Sequence, residues 1–260
     1  MLERFAEAKK AEIERLQKWK ESAKFPPPLP DPRKSLKKAL QENGPGAVVA
    51  EYKRASPSKG VINVEFGPVE IARAYKAGGA TALSVLTEKT YFQGSLEYLF
   101  SMQHVGLPLL RKDFLLHPLQ IEETAATPAS ALLLIVRMFE DQALLREMHE
   151  RARAFGLEAV FEIFSQEELD TARKMDAEII QVNNRDLSTL TVDLSLSKRL
   201  VSGKRQKEVW ISASGISRPD QIRKMKELGF DGLLIGTSLM AGPDPGRSLR
   251  ELLKHSKGGP

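Results

Sequence analysis

Glu51 and Lys53 stand two residues apart, directly after the apolar run Ala47-Val48-Val49-Ala50. Four apolar residues without alternation read as a strand covered on both faces, and residues two apart on a strand share a face. A carboxylate and an amine on one face of a strand end can hold an anion and move protons beside it. The following Ser56-Pro57-Ser58-Lys59-Gly60 adds hydroxyls, a cation and a flexible glycine. Taken alone, Glu-x-Lys reads as an exposed strand end with a surface ion pair. Its meaning depends on how the other apolar runs end.

Four of them end in ionisable groups: Leu86-Thr87-Glu88, Arg111-Lys112-Asp113-Phe114, Phe161-Glu162-Ile163 and Asn183-Asn184-Arg185-Asp186. Core packing does not require that. One run, ending Ile135-Val136, has no polar group. The last two end Ser212-Ala213-Ser214-Gly215 and Gly236-Thr237-Ser238. Their small residues let backbone N–H groups approach a phosphate, beside a short helical segment at Thr237-Ser238-Leu239-Met240. Lys112 can serve as a Schiff-base amine or a general acid, or pair with neighbouring Asp113 as a structural ion pair.

The elements that must position these groups alternate along the chain. Strands are expected near 47–52, 81–86, 107–112, 131–136, 157–162, 178–183, 208–213 and 231–235. Helical periodicity fills 68–78, 95–105, 118–127, 140–155, 165–175, 193–202, 218–228 and 246–255. Eight strand–helix units imply a parallel sheet, and eight is the number that closes a (β/α)₈ TIM barrel, an α/β fold whose strands present their C-terminal ends to one mouth. An open doubly wound sheet is the other topology, but no Gly-x-Gly-x-x-Gly follows the first strand. Ahead of the barrel, residues 2–22 read as an amphipathic helix with Leu2, Phe5, Ile13, Leu16 and Trp19 on one stripe. The stretch 25–32 is a stiff proline-rich connector, and 33–41 a second helix. The whole of 1–260 is expected to be one barrel domain with 1–46 as its N-terminal helical extension.

Composition narrows the class. The 260 residues carry a net charge of +5, and residues 1–60 hold 14 Lys and Arg against 8 Asp and Glu, so the basic excess is local. It reads as a solvated basic helix face; a nucleic-acid surface is the alternative. With no cysteine there is no disulfide framework or thiolate chemistry. No run of about 18 apolar residues crosses a membrane, and the charged N-terminus lacks a signal core, so the cytoplasm is the expected compartment. His104, His117, His149 and His255 read as solvated, with no metal-ligand spacing. Met102, Met148 and Met225 suit core or helix faces.

Several of these stretches resemble indole-3-glycerol-phosphate synthase. Ala50 to Gly60 is similar to the family's first-strand signature. Ser84-Val85-Leu86-Thr87-Glu88 with Tyr91-Phe92-x-Gly94-Ser95, Arg111-Lys112-Asp113-Phe114, Asn183-Asn184-Arg185-Asp186-Leu187 and Leu234-Ile235-Gly236-Thr237-Ser238-Leu239-Met240 follow in family order. The resemblance spans about residues 2–255, including helices that cover the barrel mouth in that family. It implies closure of an indole ring from 1-(o-carboxyphenylamino)-1-deoxyribulose 5-phosphate, with loss of CO₂ and water and no cofactor or metal.

The resemblance also implies roles. Lys112 is the general acid that protonates the carbonyl, and Lys53 and Arg185 hold the leaving carboxylate, with Lys53 a candidate acid in dehydration. Glu51 and Glu162 are acid–base and cation-stabilising carboxylates, and Asn183 binds a substrate hydroxyl. Ser56, Ser214, Gly215, Gly236 and Thr237 line the phosphate side. Phe92, Phe114 and Leu187 bound the aromatic ring, and Leu234 joins the substrate-binding set.

Three positions depart from the family pattern. Ala213 replaces a Glu among active-site residues, which implies reduced activity. His117 stands for an Asp, and Pro128-Ala129-Ser130 for Gly-Ala-Asp; both read as structural. The expected partner is a small anionic sugar phosphate bearing an aromatic carboxylate, with no nucleic acid and a monomeric chain. Another phosphate-binding barrel such as a Schiff-base aldolase, or a catalytically weak barrel kept as a binding partner, are the competing readings.

Overall fold

The eight apolar runs fold as strands because each is covered twice, by side chains inside the barrel and by helices outside. The computed structural model describes residues 2–30 and 33–256. Its strands are β1 (Ala47–Tyr52), β2 (Ala82–Leu86), β3 (Leu109–Lys112), β4 (Ala131–Ile135), β5 (Glu158–Ile163), β6 (Ile179–Asn183), β7 (Val209–Ala213) and β8 (Gly232–Ile235). They pair in parallel, each with the next, and β1 with both β2 and β8 to close the barrel. A two-residue hairpin, Ala55–Ser56 with Gly60–Val61, follows β1. Along β1, Ala47 and Val49 face an inner cluster with Leu110, Leu133, Val160, Ile211 and Leu234. Val48 and Ala50 join the cluster between barrel and helices. Alternation thus sends Glu51 and Lys53 inward at the mouth.

The outer helices are α3 (Pro68–Gly78), α4 (Glu97–Met102), α5 (Pro118–Ala125), α6 (Gln142–Ala154), α7 (Gln166–Lys174), α8 (Ser195–Val201), α9 (Pro219–Glu227), the short α10 (Thr237–Met240) and α11 (Pro245–Ser256). Leu145, Met148 and Ala152 on α6, and Ile222 and Met225 on α9, recur at the spacing that keeps one stripe against the sheet. His149, expected in solvent, is instead buried on α6, its ring edge-on to Phe161 at 5.0 Å. Burial lowers its pKa, because desolvation disfavours the cation. His117 caps α5: its Nδ1 accepts from Leu119 N at 3.2 Å, while Gln120 Oε1 accepts from His117 N at 3.1 Å. That is the structural use expected of the substitution.

Two helices precede the barrel, α1 (Leu2–Glu21) and α2 (Leu36–Asn43). The second begins three residues later than its periodicity suggests because Ser35 caps it, accepting from Lys38 N at 3.0 Å. Asp31 and Pro32 of the proline connector lie outside the described residues. On α1, Phe5, Lys9 and Leu16 are buried, so the reading of a wholly solvated basic face needs correction. Lys9 is 1% exposed and pairs with Asp113 at 2.7 Å and Glu12 at 2.6 Å. Arg111, fully buried, meets Glu123 at 3.0 Å, Asp113 at 3.2 Å and Glu12 at 3.5 Å, and Arg15 reaches Glu123 at 2.6 Å. Three cations and three carboxylates therefore balance under α1 and lock it to β3 and α5. Burial lifts the Asp113 carboxyl, but Lys9 and Arg111 override it and hold the group below its ordinary value. Burial likewise pulls Lys9 down, and Asp113 and Glu12 more than offset it.

Candidate active site

The C-terminal ends of the strands open into a cavity of about 650 Å³. All fifteen candidate site residues named from the sequence line it, together with Ala213. Two ion pairs project into the mouth. Lys53 Nζ lies 2.6 Å from Glu51 Oε1 on β1, and Lys112 Nζ lies 3.1 Å from Glu162 Oε2 across the gap between β3 and β5. Successive strand residues point to opposite sides, so Lys112 enters the mouth while Asp113 turns out to Lys9 and Arg111. The alternative of a Lys112–Asp113 ion pair is thereby overturned.

Glu162 is almost completely buried and is held from several sides. Asn183 Nδ2 donates to its Oε1 at 3.1 Å, and Gln181 Nε2 donates to its Oε2 at 2.5 Å. Asn183 also accepts, through Oδ1, from the Arg185 backbone N–H at 3.0 Å. With its amide occupied in this way, Asn183 is tied to Glu162 as well as facing the cavity. Arg185 anchors its guanidinium on Leu190 O at 2.8 Å.

One end of the cavity is built from small residues. Ser214 and Gly215 follow one another with φ of 68° and 82°. For Ser214 this left-handed backbone is uncommon and costs about 1–3 kcal/mol, a strain placed in the turn that leaves β7. Gly236 N-caps α10, and a Cβ there would strike Glu51 Oε1. Ser238 Oγ donates to Ile216 O at 3.2 Å and joins the turns after β7 and β8. Ser56, in the hairpin after β1, faces Ser58 Oγ at 3.4 Å.

Another wall of the cavity is aromatic. Phe5 of α1 stacks on Phe114, centroids 4.1 Å apart and planes at 12°, and packs edge-on against Tyr91 at 5.2 Å. Phe92 lies 6.1 Å from Phe114. Phe5 reads from the sequence as a helix-stripe residue; its place in the site depends on α1 crossing the mouth, which local periodicity does not carry. Gln181 is the other functional candidate that sequence reasoning missed. Its signal is an amide in an otherwise apolar strand, Ile179-Ile180-Gln181-Val182. Conversely, Glu88 turns away: its carboxylate accepts from the backbone N–H groups of Thr90, Tyr91 and Phe92 at 2.7–3.1 Å. Thr87 donates to Asp113. Four of the five ionisable strand ends thus reach the mouth, and the second does not.

Among the described residues no group of three or more His, Asp or Glu is placed to hold a metal ion, and no helix is long and apolar enough to cross a membrane. The site can bind a dianion at its small-residue end, hold a flat ring at the other and exchange protons between them through two amine–carboxylate pairs.

Comparison with known proteins points to one family. The family model for indole-3-glycerol phosphate synthase matches residues 2–252. A curated protein of that name from Shouchella clausii is 40% identical over 259 residues, covering 98% of each chain. Another, from Carboxydothermus hydrogenoformans, is 43% identical over 224 residues and 84% of each chain. Among solved structures, thiamine phosphate pyrophosphorylase from Pyrococcus furiosus aligns with a TM-score of 0.61 at 18% identity, over 86% of this chain and 98% of that one. N-acetylmannosamine-6-phosphate 2-epimerase from Clostridium perfringens has the same TM-score at 15% identity, over 87% and 98%. At such identities these two speak for the barrel fold alone.

Proposed function

The chain belongs to the indole-3-glycerol phosphate synthase family, the decarboxylating lyases that close the indole ring in tryptophan biosynthesis, and from that premise we propose how its own residues divide the work. The substrate phosphate sits at the Ser214-Gly215 and Gly236-Thr237 end with Ser56. The carboxyphenyl ring lies between Phe92, Phe114 and Leu187 above Leu234. Lys53 and Arg185 hold the ring carboxylate. The ring carbon bearing that carboxylate attacks the ketone carbon, and Lys112 delivers a proton to the carbonyl oxygen as the C–C bond forms. Glu162, 3.1 Å from Lys112, stabilises the cationic ring and the lysine. Departure of CO₂ restores the electron pair to the ring system. The new hydroxyl then leaves as water, protonated by Lys53, while Glu51 beside it takes up the proton lost from carbon. Asn183 orients the sugar hydroxyls.

One observation carries this reading: two amine–carboxylate pairs face a single cavity between an aromatic wall and a small-residue end. General acid–base groups so placed contribute about 10²–10⁴-fold each. The chain is expected to act as a monomer without nucleic acid, and more slowly than a synthase with a carboxylate at position 213. The test is direct assay with the carboxyphenylamino substrate, following indole fluorescence. Loss of turnover in Lys112→Ala with substrate binding retained supports the assignment; more than half the wild-type rate in that variant refutes it.

A further inference from the structure

Gln181 lies inside the barrel on β6, one layer beneath Asn183, and is 0% exposed. Its amide is half used. Nε2 donates to Glu162 Oε2, while Oε1 is buried with no hydrogen-bond partner. A buried carbonyl left unpaired costs about 1–3 kcal/mol. An apolar side chain of the same length, packed against Ile211, its register partner on β7, carries no such penalty. What offsets that cost is the one bond the amide makes, to Glu162. The orientation of Gln181 is fixed by chemistry: turning the amide over would set Oε1 against an oxygen of Glu162 in place of a donor. Ala213, the diagonal neighbour on β7, offers Glu162 no polar atom. The donors to Glu162 are Gln181, Asn183 and Lys112, and of these only Gln181 does not line the cavity.

We propose that Gln181 is a positioning residue for the indole-forming reaction, holding the Glu162 carboxylate in register with Lys112 from beneath the cavity floor. The inference rests on the catalytic role given above to Glu162. It follows that Gln181 acts on kcat rather than on substrate binding, because it touches Glu162 and not the cavity. Orienting partners of this kind are worth about 10- to 100-fold where they have been measured at metal sites, and a similar factor is expected here.

The test uses the full chain with Gln181→Met, which keeps length and removes the amide, and Gln181→Glu, which keeps a donor when a proton is held between the two carboxyls. Glu162, Lys112 and Asn183 are the polar and charged groups facing that position. In Gln181→Met, kcat is expected to fall about 10- to 100-fold with KM within a few-fold of wild type, and with thermal stability close to wild type, because the unpaired carbonyl and the bond to Glu162 go together. Gln181→Glu is expected to keep more activity than Gln181→Met, most clearly at the acidic end of the profile, where the shared proton is retained. A Gln181→Met enzyme within twofold of wild-type kcat overturns the proposal. So do parallel losses of kcat and thermal stability in both variants, which would make Gln181 a packing residue. Glu162→Gln is assayed beside them. If it is inactive while Gln181→Met is normal, the positioning role fails; if it is itself active, the catalytic reading of Glu162 fails.

Discussion

Gly236→Ala isolates the geometry of the first ion pair. Gly236 has φ of −129°, outside the left-handed region. The methyl group is what matters. Its carbon would overlap Glu51 Oε1 and stand 3.0 Å from both Cβ and Cδ of Glu51. Glu51 is 3% exposed and is fixed through its own strand, so its carboxylate must swing aside by roughly an ångström, breaking the 2.6 Å contact with Lys53. Misplacing a catalytic group by that distance costs about 10²-fold, and the overpacking itself about 1–3 kcal/mol of stability. At 2–4 °C per kcal/mol for a chain of this size, Tm is expected to fall by roughly 2–12 °C. Steady-state kcat, followed by indole fluorescence, and Tm are measured for Gly236→Ala, Glu51→Ala and the double variant. Because Glu51→Ala vacates the space, adding Gly236→Ala to it is expected to cost little more in kcat. A folded Gly236→Ala enzyme within threefold of wild-type kcat, or an equal 10²-fold loss in the Glu51→Ala background, would refute the reasoning.

Other expectations follow from the same structure. Lys112→Ala lowers kcat about 10²–10⁴-fold while far-UV circular dichroism and Tm stay near wild type. Ala213→Glu places an acceptor on the cavity floor and is expected to raise kcat about tenfold, a cautious part of the range for one positioned polar group; an unchanged rate in a folded, substrate-binding variant shows that residue 213 does not limit this enzyme. Asp113→Asn leaves Lys9 and Arg111 without their shared carboxylate and is expected to loosen α1 by about 3–5 kcal/mol, read as faster amide exchange over Leu2–Glu21. The folded-state pKa of Asp113 is depressed, so its contribution is present above the ordinary value of 3.8 and is lost as pH falls through the lower folded value. The raised pKa of Lys9 gives the mirror image above 10.5. Helix α1 therefore stays docked between those limits, and fluorescence of Trp19 should report undocking in acid before the barrel unfolds.

Much of this architecture is written locally. Apolar runs of five or six residues, separated by helical periodicity, place every barrel strand within two residues of its position. The period of two also decides which strand-end groups face the mouth: applied to Arg111-Lys112-Asp113, it puts Lys112 on one side and its neighbours on the other. What local pattern does not carry is burial of charge by distant partners. Lys9 looks like any lysine on a basic helix, and its burial is tolerable because Asp113, about a hundred residues away, joins the local Glu12 in pairing with it. Glu88 looks like a strand-end carboxylate until the following loop folds back to offer three N–H donors. His149 sits at a helical spacing compatible with either face, and Phe161 decides it. Phe5 enters the site only because that ion cluster draws α1 across the mouth.

The central claim is that the two amine–carboxylate pairs close an indole ring, and it is tested most directly by mixing the purified chain with 1-(o-carboxyphenylamino)-1-deoxyribulose 5-phosphate and measuring indole fluorescence and CO₂ together. Equal amounts of indole-3-glycerol phosphate and CO₂, both abolished in Lys112→Ala, are the expected result. CO₂ without indole, no turnover in the wild-type chain, or a borohydride-stable adduct between substrate and Lys112 would contradict it.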